Sequence, residues 1–410
     1  MRICFISKYP PIEGGVSTRV YWLAKALGGR GHEIHIVTNA QEVENEYKER
    51  IDSNEQEYIP KNVHLHSTGP NTNPWHIPFS KAYAERIANL AIEVIKKYDI
   101  QLIDSYYTLP YGIAAFIAKD ITGRPQILRH AGSDIGKLFA SSSYSTLFKA
   151  IFQRVDKIVT IRPLKKMFIS LGIPESKIAF DEKVSVDTKV FSSEVSPFPL
   201  SEYIKREIPE CPIITYIGKI NYYWKSKGLC ELIEAVKEIK DDFLLLFVAN
   251  GKGLPEFQNL VREKNLEKRS IFIGFVPPWK IPSIIKLSTC VVVPEREFPI
   301  QYHTPILPRE VMSVGKCLLL SRELYNKGCC MDLVDGASLL LIDPKDIKQF
   351  RGTIKKVIKD PSATRKIGRE ARKRSEKTEI FDEYIDYTID LYAYAVDSSR
   401  IAAIHSWAKC

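Results

Sequence analysis

At 410 residues the chain exceeds what one hydrophobic core usually supports, so two domains of roughly 200 residues each are expected. Hydrophobic residues make up 45% and charged residues 26%, which excludes a largely disordered chain. The formal charge of +10 calls for an acidic partner, whether nucleotide phosphate, an anionic membrane surface or nucleic acid. Residues 3–7 open directly as a strand, without the apolar stretch and small-residue cleavage site of a signal peptide, so no secretion is expected. Short apolar runs at 3–7, 34–38, 63–66, 102–106, 127–130, 158–161 and 178–180 then alternate with segments of helical period. This is the pattern of parallel strands buried on both faces and joined by helices. Between the first two runs, Val16, Val20, Leu23, Ala24 and Leu27 share one helical face, so the chain turns from strand to helix across Gly14 and Gly15.

Residues 185–210 carry neither period and several prolines, and a linker is expected there. A second alternation follows, with strands at 213–217, 244–249, 271–273, 291–293, 318–321 and 339–342 and helices near 229–239 and 282–287. After Pro344 the chain reads as consecutive helices. The expected organisation is an α/β protein with Rossmann-like domains at 1–190 and 205–378, and C-terminal helices at 379–410 packing back toward the first domain. Two tandem doubly wound domains with ligands at the carboxyl ends of their strands would face each other across a cleft.

Eight cysteines stand at 4, 211, 230, 290, 317, 329, 330 and 410 without a CxxC pair, which suits a reducing compartment. Apolar runs such as 243–249 fall far short of the ~20 residues needed to span a bilayer. The expected location is cytoplasmic, with any contact at the inner membrane face peripheral. The late basic residues Arg369, Arg372, Lys373 and Arg374 alternate with Glu370 and Glu376 and read as a solvated helix face. No basic stripe with interleaved aromatics recurs on one element, so nucleic acid is not an expected partner.

Several positions carry candidate chemistry. Gly14 and Gly15 stand where glycine lets a ligand approach the backbone and the helix end offers unpaired N–H groups, although a plain tight turn needs the same residues. Gly218 and Lys219 end the strand at 213–217, with Lys227 and Gly228 just before a helix, so the two lysines either hold a diphosphate or are solvated surface residues. His130 ends the strand at 127–130, placed to hydrogen-bond a substrate or move a proton, whereas His32 and His35 read as structural. Glu310 opens a helix, either as a first-turn acid or as an acceptor for two ribose hydroxyls. Asp181-Glu182 and Asp241-Asp242 read as surface acids.

Together these segments resemble glycosyltransferase family 4, a family of retaining GT-B enzymes. Pro10-Pro11-Ile12-Glu13-Gly14-Gly15-Val16, Leu23-Ala24-Lys25-Ala26-Leu27 and Arg30-Gly31-His32-Glu33-Ile34-His35-Ile36-Val37-Thr38 are similar to the family's opening signature. His130-Ala131-Gly132-Ser133-Asp134 resembles its HGSD segment with one residue inserted, and Val184-Ser185-Val186-Asp187 its NGVD hinge without the asparagine. Tyr216-Ile217-Gly218-Lys219-Ile220 with Lys227-Gly228 resembles the GR…KG phosphate site, with lysine for arginine and a longer spacer. Gly274-Phe275-Val276, Val291-Val292-Val293-Pro294 and the segment from Glu310 to Leu319 complete the family's order, so the resemblance covers nearly the whole chain.

One departure stands out: the first acid of the family's E-x7-E pair falls on Tyr302, with Glu295 and Glu297 in the same loop but at the wrong spacing. The resemblance implies a GT-B fold and metal-independent, retaining transfer from a nucleotide-sugar donor to a glycan or lipid-linked acceptor. It implies no cofactor beyond the donor and no metal ligands. Gly14, Gly15, Gly218, Lys219, Lys227 and Glu310 would bind the donor, Gly15 approaching its diphosphate, Lys219 and Lys227 neutralising it, and Glu310 holding the ribose. His130, Lys219 and Lys227 would take the catalytic roles, with His130 against the transferred sugar. Two other readings stand beside it: a degenerate GT-B protein that binds nucleotide, glycan or a partner without turnover, and a GT-B sugar-nucleotide epimerase.

Overall fold

The computed structural model describes residues 1–51, 55–69, 83–181, 184–221, 223–300, 302, 305–328 and 330–407. The chain divides into two units, Met1–Val184 with Asp382–Cys410, and Ser185–Phe381. The first unit runs β1 (Arg2–Ile6), α1 (Gly15–Gly29), β2 (Glu33–Thr38), β3 (Val63–Ser67), α2 (Tyr83–Lys97), β4 (Leu102–Tyr106), α3 (Ile113–Thr122), β5 (Gln126–Arg129), α4 (Ser145–Arg154), β6 (Lys157–Thr160), α5 (Lys165–Ser170) and β7 (Ile178–Phe180). Its seven strands are parallel in the order β3-β2-β1-β4-β5-β6-β7. Ile3, Cys4, Phe5 and Ile6 of β1 are all buried, because helices cover both faces. α2 lays Ile87, Ala88, Ala91, Val94 and Ile95, a helical stripe, against one of those faces.

The second unit runs α6 (Leu200–Ile204), β8 (Ile213–Ile217), α7 (Leu229–Val236), β9 (Leu244–Val248), α8 (Leu254–Glu263), β10 (Ser270–Ile273), α9 (Ile281–Leu287), β11 (Cys290–Val293), α10 (Leu307–Val314), β12 (Cys317–Ser321), α11 (Arg322–Asn326), β13 (Leu340–Ile342), α12 (Ile347–Lys359) and α13 (Pro361–Thr378). Its six parallel strands take the order β10-β9-β8-β11-β12-β13. Both orders reverse direction beside the unit's first strand, at β1/β4 and at β8/β11, which is where open α/β sheets bind ligands. The α/β fold class expected from the alternation is the one observed. The stretch 185–210, without a period of its own, is held on the second unit by buried Phe191 and Phe198, and the Phe198 N–H donates to the Ser283 carbonyl at 3.0 Å.

The last helix, α14 (Phe381–Trp407), belongs to the first unit from Asp382 onward. It is anchored by a buried charge cluster. Asp104 on β4 is 1% exposed, and a carboxylate so placed requires partners. Arg129 of β5 donates to it from Nε at 2.9 Å and the Tyr392 hydroxyl donates at 2.5 Å. Arg129 also faces Asp181 at 3.6 Å, and Asp181 pairs with Arg19 of α1 at 3.1 Å.

Two readings of surface charge are corrected here. Asp181 is a mostly buried acid at the end of β7, with its side chain 12% exposed between two arginines, while Glu182 lies outside the described residues. Arg372 is not on a solvated face: it points inward and donates to the carbonyls of Thr188, Phe191 and Ser313. Lys373 and Arg374 do form exposed pairs, with Glu370 and Asp332.

Replacing Arg129 with Met strands the Asp104 carboxylate in the core and should lower the stability of the first unit by about 3–5 kcal/mol. Urea unfolding measures this, and the Asp104→Asn, Arg129→Met double variant should recover much of the loss.

Candidate functional site

In the second unit the site begins at the end of β8. The Gly218 N–H donates to the Val248 carbonyl at 3.1 Å, and a Cβ at this position would lie 2.8 Å from the Tyr216 hydroxyl, which donates back to the Lys219 carbonyl at 3.3 Å. The chain then makes a short 3-10 turn, Trp224–Lys227, and reaches Gly228 at φ 69°. A Cβ on Gly228 would stand 1.9 Å from the Pro294 carbonyl oxygen, so only glycine lets the turn touch the end of β11.

That contact brings Lys227 against Glu295. The two form an ion pair with side chains 15% and 6% exposed, and the Lys227 ammonium lies 4.0 Å from the centre of the Phe298 ring. Burial pulls the Lys227 pKa down, the Glu295 carboxylate opposes the shift, and Lys219 is close enough to add repulsion. Lys227 is therefore a poorly solvated cation with a second cation nearby, the environment that an anion relieves. The solvated-surface alternative for this lysine is set aside.

A neighbouring loop escaped the sequence reading. The residues of Asn250-Gly251-Lys252-Gly253 follow β9, and Gly251 adopts φ 129° with its missing Cβ 2.6 Å from the Ile220 carbonyl oxygen. The Ile220 N–H donates to the Asn250 carbonyl and the Gly253 N–H to the Ile220 carbonyl, each at 2.9 Å, so the two loops brace each other. The available signal was small residues placed directly after a wholly apolar strand.

Glu310 lies in the first turn of α10, 5% exposed; its N–H donates to the Ile306 carbonyl at 3.2 Å, and its carboxyl group makes no hydrogen bond or ion pair among the described residues. Burial first, and the Glu379 charge second, push its pKa up to about 8, so near neutral pH it is mainly the uncharged acid. Glu379 itself accepts from Arg309 Nε at 2.7 Å and Nη2 at 2.6 Å, from the Ser185 hydroxyl at 2.7 Å and from the Val186 N–H at 2.7 Å. This carboxylate thereby fixes both the turn that carries Glu310 and the start of the segment at Val184-Ser185-Val186-Asp187. Nothing in the sequence singled it out, since its partners lie 70 and 193–194 positions away.

Tyr302 is a half-buried turn residue, and Gln301 and His303 lie outside the described residues. Of the two acids in the same loop, Glu297 points outward to Lys345 and Arg296, and Glu295 alone reaches the lysine site.

The remaining candidates belong to the first unit. Gly14 caps α1 at φ 117°, a conformation that favours glycine, whereas a Cβ on Gly15 would meet nothing within 4 Å. Gly15 is exposed, so the backbone at the start of α1 is open to approach. His130 follows β5, with Nδ1 3.4 Å from the Ala131 carbonyl and Nε2 2.7 Å from the Thr160 hydroxyl. The carbonyl requires the proton on Nδ1, so Nε2 accepts from Thr160. Burial lowers the His130 pKa to about 4, so at neutral pH it is a neutral hydrogen-bonding group and not a proton donor in cationic form. Asp134 accepts from the N–H groups of Ala131 at 2.9 Å and Thr108 at 3.2 Å, holding this loop closed. Gly218, Lys219 and Lys227 thus stand together at the ends of β8 and β11, Glu310 stands on α10 of the same unit, and Gly14, Gly15 and His130 belong to the other unit, at α1 and after β5.

Comparison with known proteins follows the same division. The family model for Glycosyltransferase Family 4 matches residues 13–180, and that for Glycosyl transferases group 1 matches residues 204–374. The N-acetyl-alpha-D-glucosaminyl L-malate synthase of Bacillus anthracis is 24% identical over 276 residues, covering 66% of this chain and 67% of that protein. The 2-deoxystreptamine glucosyltransferase of Streptomyces kanamyceticus is 27% identical over 155 residues, 37% of either chain. The chain thus aligns with about two thirds of the first relative and little more than a third of the second. Among solved structures, the sucrose-phosphate synthase of Thermosynechococcus elongatus superposes with a TM-score of 0.67 at 17% identity, covering 97% of this chain and 99% of that one. HepE of Anabaena, solved with UDP and glucose, gives 0.67 at 17% identity, covering 96% and 100%. These similarities share the GT-B fold.

Two outcomes follow from the site geometry. Gly228→Ala should cost several kcal/mol, on the order of a buried overpacking change plus left-handed strain, and lower the melting temperature of the second unit. Glu310 holds a proton in the folded chain that the unfolded chain has lost, so its contribution to stability falls as pH rises from about 5 toward 8, by at most about 1.4 kcal/mol per pH unit. Urea midpoints at several pH values should show that slope in the parent protein and a shallower one in Glu310→Gln.

Proposed function

Because the chain belongs to the family 4 glycosyltransferases, enzymes of the GT-B fold, we propose that it takes a sugar from a nucleoside-diphosphate donor held at the carboxyl ends of β8 and β11. The acceptor is a glycan or a lipid-linked precursor, the configuration at the anomeric carbon is retained, and the diphosphate is neutralised by side chains without a metal ion. The observation that carries this reading is the buried pair Lys227–Glu295 with Lys219 beside it, in a pocket of backbone that only glycine at 228 permits. Two lysines and one carboxylate leave a net positive charge where a leaving diphosphate would develop its own negative charge. The UDP and glucose bound by the Anabaena protein support a nucleotide-linked sugar as donor.

In this reading Lys219 and Lys227 contact the diphosphate, Gly218 lets it approach the backbone, and Glu310 takes the ribose hydroxyls. Within the first unit, the N-terminus of α1 at Gly14 and Gly15 offers N–H groups to an anion, and neutral His130 reaches a sugar hydroxyl only by exchanging its Thr160 partner for it. Glu295 stands nearest to the role of the absent first acid, since it follows β11 and already touches Lys227.

The charge of +10 and the exposed basic residues of α13 favour an anionic acceptor surface, so lipid-linked acceptors would be met peripherally. No helix among the described residues is long and apolar enough to cross a membrane.

The second reading, a protein of the same fold that binds without turnover, is favoured by Tyr302 at the first acid's position. An epimerase would need two carboxylates free for proton or water chemistry, and Glu379 is committed to Arg309 and the backbone.

Calorimetry with UDP, GDP and ADP in metal-free buffer tests the donor site. One nucleotide should bind, and Lys219→Ala or Lys227→Ala should weaken it by roughly 10- to 100-fold, the worth of a charge-assisted hydrogen bond. Accepting two ribose hydroxyls requires the Glu310 carboxylate, so binding at pH 7 should release a proton, seen as an enthalpy that varies with the buffer's ionisation heat and stops varying in Glu310→Gln. Absence of binding by all three nucleotides would sink the donor site, whereas binding without transfer or donor hydrolysis would favour the non-catalytic reading.

A further inference from the structure

The first unit carries a cluster of histidines that the proposed transferase does not use. Glu33 and His35 stand two residues apart on β2, so their side chains leave the same face of the sheet. The parallel register pairs His35 with His64 and Val37 with His66 on β3, which brings both of those imidazoles to the same face. His35 is fully buried, its ring stacked on His64 with centroids 4.8 Å apart and on His66 at 5.3 Å, with Tyr98 against it at 4.2 Å.

Four such polar side chains are unusual company at one point of a sheet, because β-strands gain most from apolar or oppositely charged neighbours. Their ligand atoms converge. His35 Nε2 lies 3.0 Å and His64 Nε2 4.0 Å from the same Glu33 carboxylate oxygen, and one ligand atom from each of the three lies within 4.8 Å of the others.

We propose that Glu33, His35 and His64 bind one divalent transition-metal ion of the zinc class, pinning β3 to β2 at the edge of the sheet. Bonds of about 2.0–2.2 Å to imidazole nitrogen and carboxylate oxygen in tetrahedral geometry require ligand atoms roughly 3.3 Å apart. The Glu33–His35 separation already meets this. His64 has to close by about 0.7 Å on Glu33 and by up to about 1.5 Å on His35, and it is 52% exposed on the sheet's edge strand.

The Nδ1 atom of His35 lies 3.0 Å from His66 Nε2, so the ring of the buried ligand is oriented from behind, as metal-bound imidazoles generally are. Glu33 supplies the negative charge, and its 42% exposure leaves an entry path and a fourth position for water. Two imidazoles and a carboxylate suit zinc, cobalt, nickel or copper, and not calcium or magnesium, which prefer all-oxygen shells.

The test uses the whole untagged chain, stripped with a chelator, at pH 7.5. Titration with Co2+ should give one equivalent bound with visible d–d absorption, Zn2+ should displace it, and Zn2+ should raise the melting temperature. His64→Ala and Glu33→Gln change half-exposed side chains and leave His35 in place, so the fold should survive, as circular dichroism checks. Each should weaken Zn2+ binding at least about tenfold, the scale on which even outer partners of metal ligands act. Failure of Co2+ and Zn2+ to bind at one equivalent, or undiminished binding in the His64→Ala, Glu33→Gln double variant, would overturn the proposal. Nucleotide binding at Lys219 and Lys227 is measured separately and is expected to be the same with and without the metal.

Discussion

A parallel strand covered by helices on both faces has no solvated side on which to carry polar chemistry. In both sheets of this chain the strand interiors are accordingly mostly apolar, and the residues proposed to act on the donor stand at the carboxyl ends, where the loops begin. His130 follows β5, Gly218 and Lys219 follow β8, Glu295 follows β11, and Glu310 opens the next helix. Asp104, like His35 on β2, departs from this pattern: a carboxylate in mid-strand is tolerated because Arg129 and Tyr392 both donate to it. Burying one acid therefore commits a neighbouring strand and a helix 288 residues away in sequence.

Backbone approach is the second constraint. The Pro294 carbonyl fills the space where a side chain on Gly228 would be, the Ile220 carbonyl does the same at Gly251, and the Gly315 carbonyl would stand 2.3 Å from a Cβ on Gly368 of α13. Each contact closes a loop or helix onto its neighbour more tightly than any side chain allows. The functional consequence is positional: the Lys227 ammonium reaches Glu295 only because residue 228 has no Cβ.

The fold class was legible because it is written in period and composition, which are local. Apolar runs of three to six residues separated by helical stripes leave little choice but a parallel sheet. The candidate positions could be named from their places at strand ends, but their surroundings could not. Asp181 sits in an acidic dipeptide and looks like a surface residue, yet two arginines from other elements bury it. Arg372 sits in a basic run and looks solvated, yet it donates to three backbone carbonyls. Glu379 and the rear of the His35 cluster were silent for the same reason: their meaning resides in partners tens to hundreds of positions away, which periodicity does not encode.

The electrostatics of the second unit bear on why an absent first acid need not empty the site. On the proposed reading an incoming diphosphate meets two lysines, one of them already neutralised by Glu295, and a glutamic acid that burial keeps mainly protonated near neutral pH. Were Glu310 ionised beforehand, its charge would repel the same anion; held as the acid, it does not. On the proposed reading the ribose hydroxyls then stabilise the carboxylate as the nucleotide arrives, so the proton leaves when hydrogen bonds replace it. Glu295 behaves differently, because its pairing with Lys227 keeps a charge in the pocket that competes with the diphosphate for the same ammonium.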